Sequence, residues 1–179
     1  MIKKKVADKI NAQINAELYS AYLYYSMAAY FESLSLKGFS HWMYAQALEE
    51  TNHANIFASY LGERGGRVLL KAIDAPETEW KSPLACFEAV YAHEQHVTDL
   101  INKLMTLSNA EQDYATAQKL QWFISEQVEE EASADEVVQK LKLVDRTEGG
   151  LFMLDIELAK RPFMLPAQLA GAGTIGGVA

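Results

Sequence analysis

The sequence predicts an all-α protein: a four-helix bundle with a long crossover between its second and third helices and a short fifth helix. Three observations support this prediction. Apolar side chains recur at alternating steps of three and four residues along four long segments, as on helix faces buried in a bundle. Proline is absent before Pro76, so none interrupts the first two segments. Half of the 179 residues are apolar, enough for one domain with a sizeable core.

The composition excludes several classes of protein. The formal net charge of -8 argues against nucleic acid as the main partner, because that partner favours a basic patch. Cys86 is the only cysteine, which rules out an intrachain disulfide and a zinc–cysteine site. Charged residues interrupt the apolar run that a signal peptide needs, and no apolar stretch of about 18 residues predicts a transmembrane helix. We therefore expect a soluble, cytoplasmic protein with no nucleic-acid or membrane partner.

The first two helices are predicted over residues 6–33 and 38–61. The apolar face of the first helix has a single gap, and Glu17 fills it, so this carboxylate points into the core. A group of glycines ends the second helix. Its buried face includes Glu50 and His53, which lie one helical turn apart and can bind one metal ion together.

Residues 66–82 carry no strong helical pattern and connect the second helix to the third. Pro76 and Pro83 bracket the polar end of this connection. At about 3.3 Å per residue, the extended segment could run back along a helix of about 25 residues, which rises about 1.5 Å per residue. A crossover of this kind would make the second and third helices parallel. Residues 68–70 are apolar and predict either a short strand or an apolar patch.

The third helix is predicted from Pro83 to residue 107, with Ser82 as its N-cap. Glu94 interrupts its apolar face at the middle of the helix. The same break occurs on the first helix, so a second carboxylate is expected in the core.

Ser108 and Glu111 have the spacing of a capping box, which predicts that the fourth helix starts there and continues to residue 143. Gln127 and Glu130 lie at the middle of its buried face. Thr147 is predicted to cap a short fifth helix.

The chain is predicted to divide into a bundle domain and a tail. The domain covers residues 1–161, including the fifth helix over residues 148–160, which Pro162 ends. The tail, residues 162–179, contains no charged residue and is rich in glycine and alanine from Ala167 onwards. It is interpreted as a flexible terminus, with an assembly contact as the alternative.

The two predicted hairpins bring their polar residues to one level of the bundle. Folding the first hairpin back at its turn places Glu17 beside Glu50 and His53. Folding the second places Glu94 beside the polar pair of the fourth helix. The hairpins also match each other, because adding 77 to positions 17, 50 and 53 gives 94, 127 and 130. This indicates an internal repeat in which a glutamine and a glutamate replace the glutamate–histidine pair.

Four buried carboxylates, one amide and one imidazole at one level indicate a metal site. Burying each charge costs several kcal/mol, and no lysine or arginine lies on the four buried faces near this level. A multivalent cation removes that conflict, as in carboxylate bundles that bind two metal ions. Oxygen ligands with one imidazole and no thiolate favour iron or manganese over zinc or copper(I). A bridging glutamate can hold two ions about 3.5–4 Å apart, and two ferrous ions can each give an electron to O2.

Four groups of residues together form a specific set. They are Glu17 with Tyr24, the run Glu49-Glu50-Thr51-Asn52-His53, Glu94, and Trp122 with Glu126-Gln127-Val128-Glu129-Glu130. This set resembles that of bacterial non-haem ferritins, and the resemblance covers about residues 1 to 160. It implies a ferritin-like bundle with a ferroxidase centre. Glu17, Glu50 and His53 would form one iron site of this centre. Glu50, Glu94 and Glu130 would form the other, with Glu50 as the bridge.

The resemblance implies further roles around that centre. Gln127 would hold a ligand water or a dioxygen species, and Tyr24 would lie beside the centre as a second catalytic residue. If buried, the Tyr24 hydroxyl needs a partner, and Glu94 or a metal-bound water could supply one. A third iron site would be formed by Glu49, Glu126, Glu129 and Glu130. Without the resemblance, an acidic run of this kind is typical of a solvated face.

The resemblance implies that the protein is an iron store. Fe(II) would be oxidised to Fe(III) by O2 or H2O2 and deposited as a ferric oxyhydroxide mineral inside a cage of twenty-four identical subunits. Iron is the cofactor that this function implies, and no haem is expected.

Other functions of a di-iron bundle remain open. A haem-binding bacterioferritin would carry Glu-x-x-His in both hairpins and a methionine after the bridging glutamate, where this chain has Thr51. A rubrerythrin-like peroxidase would need a set of cysteines. A di-iron oxygenase and a bundle without catalysis are further alternatives. His41, His93 and His96 lie off the buried faces and are expected at the surface, while Cys86 is expected to be a buried, inert thiol.

Overall fold

The computed structural model of the chain describes residues 1–144, 147 and 149–162. Within these residues it contains five α-helices and no strand, which confirms the predicted fold class. The helices are α1 Lys4–Ser33, α2 Lys37–Glu63, α3 Pro83–Ala110, α4 Tyr114–Val144 and α5 Gly150–Leu158. No helix in this part of the chain is both long and apolar enough to cross a membrane. The predicted tail, apart from Pro162, lies outside the described residues.

Two apolar clusters fill the two ends of the bundle. One joins the end of α1, the starts of α2 and α3, the end of α4, and α5, around Phe31, Phe39 and Phe87. The other joins the start of α1, the ends of α2 and α3 and the start of α4, around Phe57 and Phe123. Because α2 and α3 both run from the first cluster to the second, they are parallel, as the predicted crossover requires. The polar level, formed by the six polar residues predicted to meet at the middle of the bundle, lies between the two clusters.

The crossover, residues 64–82, contains neither helix nor strand and follows α1 for part of its length. The side chain of Asn11 on α1 holds it there, donating to the carbonyl of Arg67 at 3.0 Å and accepting from the N–H of Leu69 at 2.7 Å. Leu69 and Leu70 are exposed. Of the two alternatives for this segment, the apolar patch is therefore correct and the strand is wrong.

The turns of the two hairpins share one backbone geometry. Ser35 and Gln112 both adopt the left-handed conformation, with φ of 61° and 55°. In each turn the N–H of the next residue donates to the carbonyl five positions back, at 3.0 Å in the first turn and 2.8 Å in the second. These two residues are related by the same offset of 77 positions as the polar residues. The internal repeat thus extends from the buried level to the turns.

The predicted capping box at the start of the fourth helix is wrong. Ser108 still lies within α3, where its hydroxyl donates to the carbonyl of Leu104 at 2.8 Å. Asp113 takes the capping role instead, because its carboxylate accepts from the N–H of Thr116 at 3.2 Å. The helix α4 therefore begins at Tyr114, five residues later than the capping box indicates.

Of the other two predicted caps, one is confirmed and one is wrong. The Ser82 hydroxyl accepts from the N–H of Ala85 at 3.1 Å and caps α3. Thr147 does not cap α5, which begins at Gly150 after Gly149 in a left-handed conformation with φ of 75°. Glycine adopts this conformation without the steric cost that a side chain would add.

The short helix α5 docks onto the start of α2 by capping it. The side chain that precedes α2 makes no capping hydrogen bond. The Asp155 carboxylate of α5 supplies one, accepting from the N–H groups of Gly38 at 2.8 Å and Phe39 at 3.1 Å. Leu154 and Leu158 are buried in the first apolar cluster. Capping and apolar burial together fix the position of the residues that follow α5.

Substituting Gly38 with alanine is expected to disrupt this docking. A Cβ at position 38 would lie 1.7 Å from the backbone oxygen of Asp155, a distance that only movement of α5 can relieve. We expect a loss of about 1–3 kcal/mol in the free energy of unfolding, the usual cost of overpacking. Gly62→Ala is the matched control on the same helix, because a Cβ there meets no atom within 4 Å. Equal melting temperatures of the two variants by calorimetry would contradict the prediction.

Candidate metal centre

All six residues of the predicted polar level are buried, none more than 6% exposed. They come from all four long helices, between the two apolar clusters. They are Glu17 on α1, Glu50 and His53 on α2, Glu94 on α3, and Gln127 and Glu130 on α4. The repeat of 77 positions therefore corresponds to a real layer of the bundle.

One group of potential ligands is drawn tightly together. A ligand atom from each of Glu17, Glu50 and His53 lies within 4.8 Å of the others. The Nδ1 atom of His53 is 3.6 Å from a carboxylate oxygen of Glu50. This group is the first of the two iron sites implied by the resemblance, and its geometry suits a single metal ion.

The second predicted site is less compact. Within the described residues, Glu50, Glu94 and Glu130 do not approach one another as closely as the first group does. Glu130 instead groups with His53 and Glu126, again within 4.8 Å. In this structure the two close groups share His53 rather than Glu50.

Two buried amides hold the carboxylates in place, and the sequence reasoning gave neither a role. Gln13 donates to Glu17 at 2.9 Å. Gln46 donates to Glu50 at 3.3 Å and to Glu130 at 2.5 Å, and so connects the carboxylates of α2 and α4. Gln46 is fully buried, and its position on the apolar face of the second helix was the signal that could have revealed it.

Four buried ligand atoms have no hydrogen-bond partner within the described part of the chain. They are Oε2 of Glu17, Oε2 of Glu50, Nε2 of His53 and Oε2 of Glu94. Leaving a buried polar atom unpaired costs about 1–3 kcal/mol, and more for a charged group. The amides and Tyr24 thus satisfy one oxygen of a carboxylate and leave the other free. This is the arrangement expected where a cation is to be bound.

Tyr24 has one of the two partners that were considered for it, the carboxylate of Glu94. Its buried hydroxyl donates a hydrogen bond to Glu94. Burial, followed by the charge of Glu94, raises the pKa of Tyr24 well above its usual range. The phenol therefore stays protonated and continues to donate to Glu94 at neutral pH.

His41 and His93 are half-buried rather than exposed, whereas His96 is exposed as expected. The Nε2 atom of His93 lies 2.8 Å from the hydroxyl of Ser20, and its ring packs edge-on against Tyr24 with 6.0 Å between centroids. Burial lowers the pKa of His93, which favours the neutral ring. This histidine forms part of the wall around Tyr24.

The buried carboxyls titrate far from their usual range. Burial, and then the charge of Glu50, raises the pKa of Glu17 and Glu94 well above normal and that of Glu130 to about 8. Burial also opposes ionisation of Glu50, but hydrogen bonding and the charge of His53 outweigh it and lower its pKa. Burial likewise disfavours the charged form of His53, yet Glu50 and the other carboxyls raise its pKa to about 10. Without metal, these pKa shifts favour the protonated forms of Glu17, Glu94 and Glu130 around an ion pair of Glu50 with His53.

Gln127 lies at the edge of this level, anchored from α3. The Thr98 hydroxyl is 3.0 Å from the amide oxygen of Gln127 and 2.5 Å from a carboxylate oxygen of Glu131. A hydroxyl has one hydrogen and donates to one of these oxygens at a time. Thr98 and Gln127 line a cavity of about 320 Å³ between α3 and α4.

The residues of the predicted third site line a separate, outer cavity of about 220 Å³. Glu130 in its wall is buried, Glu126 is half-buried, and Glu129 is exposed. Arg161, from the segment after α5, also lines the cavity, and its Nη2 atom lies 2.5 Å from an oxygen of Glu49. No helical periodicity could have placed this arginine here, because the docking of α5 determines its position.

Aromatic side chains complete the surroundings. The ring of Trp122 packs edge-on against His53 with 5.6 Å between centroids. Trp42 is buried in the first apolar cluster. Cys86 is fully buried there as predicted, and burial raises the pKa of its thiol.

The fold and the site define a four-helix bundle that brackets a carboxylate-rich candidate metal centre. The family model of the ferritin-like domain matches residues 7–144. A bacterial non-heme ferritin of Bacteroides fragilis is 44% identical over 161 residues, covering 90% of this chain and 100% of the relative. One from Campylobacter jejuni is 41% identical over 155 residues, covering 87% and 93%. The chain therefore belongs to the ferritin family, and iron storage is the function that this membership supports.

Solved structures agree with that assignment. An open-pore ferritin of the hyperthermophilic archaeon Archaeoglobus fulgidus has 51% identity and a TM-score of 0.89, covering 90% of this chain and 100% of its own. A closed form of that ferritin, engineered by mutagenesis, has a TM-score of 0.90 at 51% identity, covering 92% and 100%.

Proposed function

We propose that this protein oxidises Fe(II) at a di-iron ferroxidase centre and stores the Fe(III) as a ferric mineral inside a homo-oligomeric cage. The four buried ligand atoms without partners are the observation that carries the proposal. A bound cation would remove the cost of leaving them unpaired. The donor set, carboxylate oxygens with one imidazole, matches the preference of iron.

Fe(II) is a substrate in this proposal. Glu17, Glu50 and His53 would bind one ion, and Glu50 would extend to a second ion held with Glu94 and Glu130. Because ligands must be deprotonated to bind a metal, the carboxyls and the imidazole would release their protons as the ions arrive.

The remaining residues of the level would orient the reaction. Tyr24 would keep Glu94 in place through its hydrogen bond. Gln127, anchored near Thr98, would hold a water molecule or the oxidant at the edge of the centre. Each of two Fe(II) ions gives one electron, so O2 takes up two electrons and two protons and leaves as H2O2. With H2O2 as the oxidant, the same two electrons and two protons yield two molecules of water.

Oxidised iron would move from the di-iron centre into the outer cavity and bind there next. Glu49, Glu126 and Glu129 would form a third site that shares Glu130 with the centre. A twenty-four-subunit cage would enclose the mineral. The Archaeoglobus relative is described as open-pored and was engineered into a closed form, which supports a hollow assembly for this chain.

Aerobic addition of Fe(II) to the purified protein tests the proposal. We expect Fe(III) absorbance to rise faster than in protein-free buffer, and the protein to elute from size exclusion far ahead of a 20.0 kDa monomer. The spectrum before iron addition should lack a haem band. Oxidation at the buffer rate would overturn the ferroxidase, and elution as a monomer would overturn the cage.

A further inference from the structure

Arg161 carries the one positive charge among the side chains described around the outer acidic cavity. Besides the contact with Glu49, its guanidinium lies over the ring of Trp42, 4.2 Å from the centroid. The backbone carbonyl of Arg161 is 2.8 Å from Nε2 of His41, which donates to it. The side chain is 17% exposed, so these contacts form in a largely desolvated setting.

The guanidinium uses only part of its hydrogen-bonding capacity. Its Nη2 atom reaches Glu49, while its buried Nη1 atom has no hydrogen-bond partner among the described residues. An arginine that served only to fix α5 would be expected to use both arms of its fork on one carboxylate. The single contact here is easier to exchange, because one carboxylate oxygen makes the only hydrogen bond to the guanidinium among the described residues, and the contact with Trp42 does not compete for that oxygen.

The docking of α5 does not depend on this ion pair. Asp155 caps α2 with two hydrogen bonds, and Leu154 and Leu158 are buried in the apolar cluster. His41 further holds the backbone at position 161. The side chain of Arg161 can therefore leave Glu49 while the helix and the backbone stay in place.

We propose that Arg161 is a displaceable counter-ion of the outer site, paired with Glu49 when the cavity holds no metal and released from it when a metal cation binds. This inference rests on the proposed third site of the ferroxidase. A metal ion and the guanidinium compete for the same carboxylate oxygen. Arg161 is thus a positioning residue that weakens metal binding there, so that iron passes through the cavity instead of remaining in it.

Binding of Tb³⁺, a redox-inert hard cation that prefers oxygen ligands, tests the competition. Its luminescence, sensitised by nearby tryptophans, is followed in the full-length protein. Arg161→Gln is expected to tighten binding at the outer site about fivefold, the effect of losing one partly exposed ion pair. Arg161→Lys, which keeps the charge, should restore weaker binding. Lys160→Gln removes the same charge from the exposed neighbouring residue and should leave the affinity unchanged.

Variants of the cavity assign the effect to this site. Glu126→Gln should weaken the outer site, and the gain from Arg161→Gln should disappear in the double variant. If Arg161→Gln leaves Tb³⁺ affinity unchanged while Glu126→Gln lowers it, the site stands and the counter-ion role is overturned. If neither substitution alters binding, the third site and the counter-ion role both fail. The Fe(II) oxidation assay on the wild type decides the ferroxidase separately.

Fluorescence of Trp42 gives a second readout that a purely structural role would not change. With Trp80→Phe and Trp122→Phe, Trp42 is the only tryptophan of the three left in the chain. Tb³⁺ should shift its emission as the guanidinium moves, and the shift should be lost when Arg161→Gln is added. A metal-induced shift of the same size in both proteins would contradict displacement.

Discussion

Replacing Glu50 with alanine is expected to slow aerobic Fe(II) oxidation at least about 100-fold, towards the rate of protein-free buffer. Loss of an outer hydrogen-bond partner of a metal ligand already costs about 10–100-fold. Glu50 is expected to be a ligand shared by two ions. It lies in the tight group with Glu17 and His53 and is joined to Glu130 through Gln46. Initial rates of Fe(III) formation, measured over a range of Fe(II) concentrations, check the result.

The matched control is Glu63→Ala, which removes an exposed carboxylate from the same helix. It should oxidise Fe(II) at the wild-type rate. Circular dichroism and size exclusion must show that Glu50→Ala is folded and assembled, because removing one member of a buried ion pair costs stability unless His53 releases its proton. A folded, assembled Glu50→Ala protein that oxidises Fe(II) at the wild-type rate would exclude Glu50 as the bridge.

The buried polar level was predictable because its signal is local and repeated. Glu17 and Glu94 each break an apolar helical face, and the spacing of 77 positions relates one hairpin to the other. The two turns are related by the same offset of 77 positions, because Ser35 and Gln112 share the left-handed conformation. Neither residue is a glycine, so no turn signal in the sequence marks that conformation. Helical periodicity predicts which side chains share a layer but not the backbone of the turn.

Errors at the helix ends have a different cause. Ser108 and Thr147 carry plausible capping signals, yet Asp113 caps α4 and a left-handed glycine precedes α5. The cap of α2 comes from Asp155, more than a hundred residues away. A cap taken from another helix, like the contact of Arg161 with Glu49, depends on tertiary packing that no local pattern encodes.

The metal-free protein is expected to lose stability as pH rises from 6 to 8. Folding raises the pKa of Glu130 from 4.5 to about 8 and that of His53 from 6.5 to about 10. A group with a raised pKa contributes stability that is fully present below its unfolded pKa and is lost as pH rises towards its folded pKa. Ionisation of Glu130 alone should lower the free energy of unfolding by about 1 kcal/mol per pH unit over this range. Ionisation of Glu17 and Glu94 acts in the same direction. Folding lowers the pKa of Glu50, so its ionisation changes the free energy of unfolding only at acid pH, below this range.

A bound metal should reverse that trend, because it takes deprotonated carboxylates and a neutral imidazole as ligands. The rise in melting temperature caused by redox-inert Zn²⁺ should therefore be larger at pH 8 than at pH 6. In Glu130→Gln the neutral amide cannot titrate, so the metal-free protein should lose less stability over this range. A metal-free melting temperature that increases from pH 6 to pH 8 would show that these carboxyls ionise freely in the folded chain. The buried level would then not need a cation to compensate its charge.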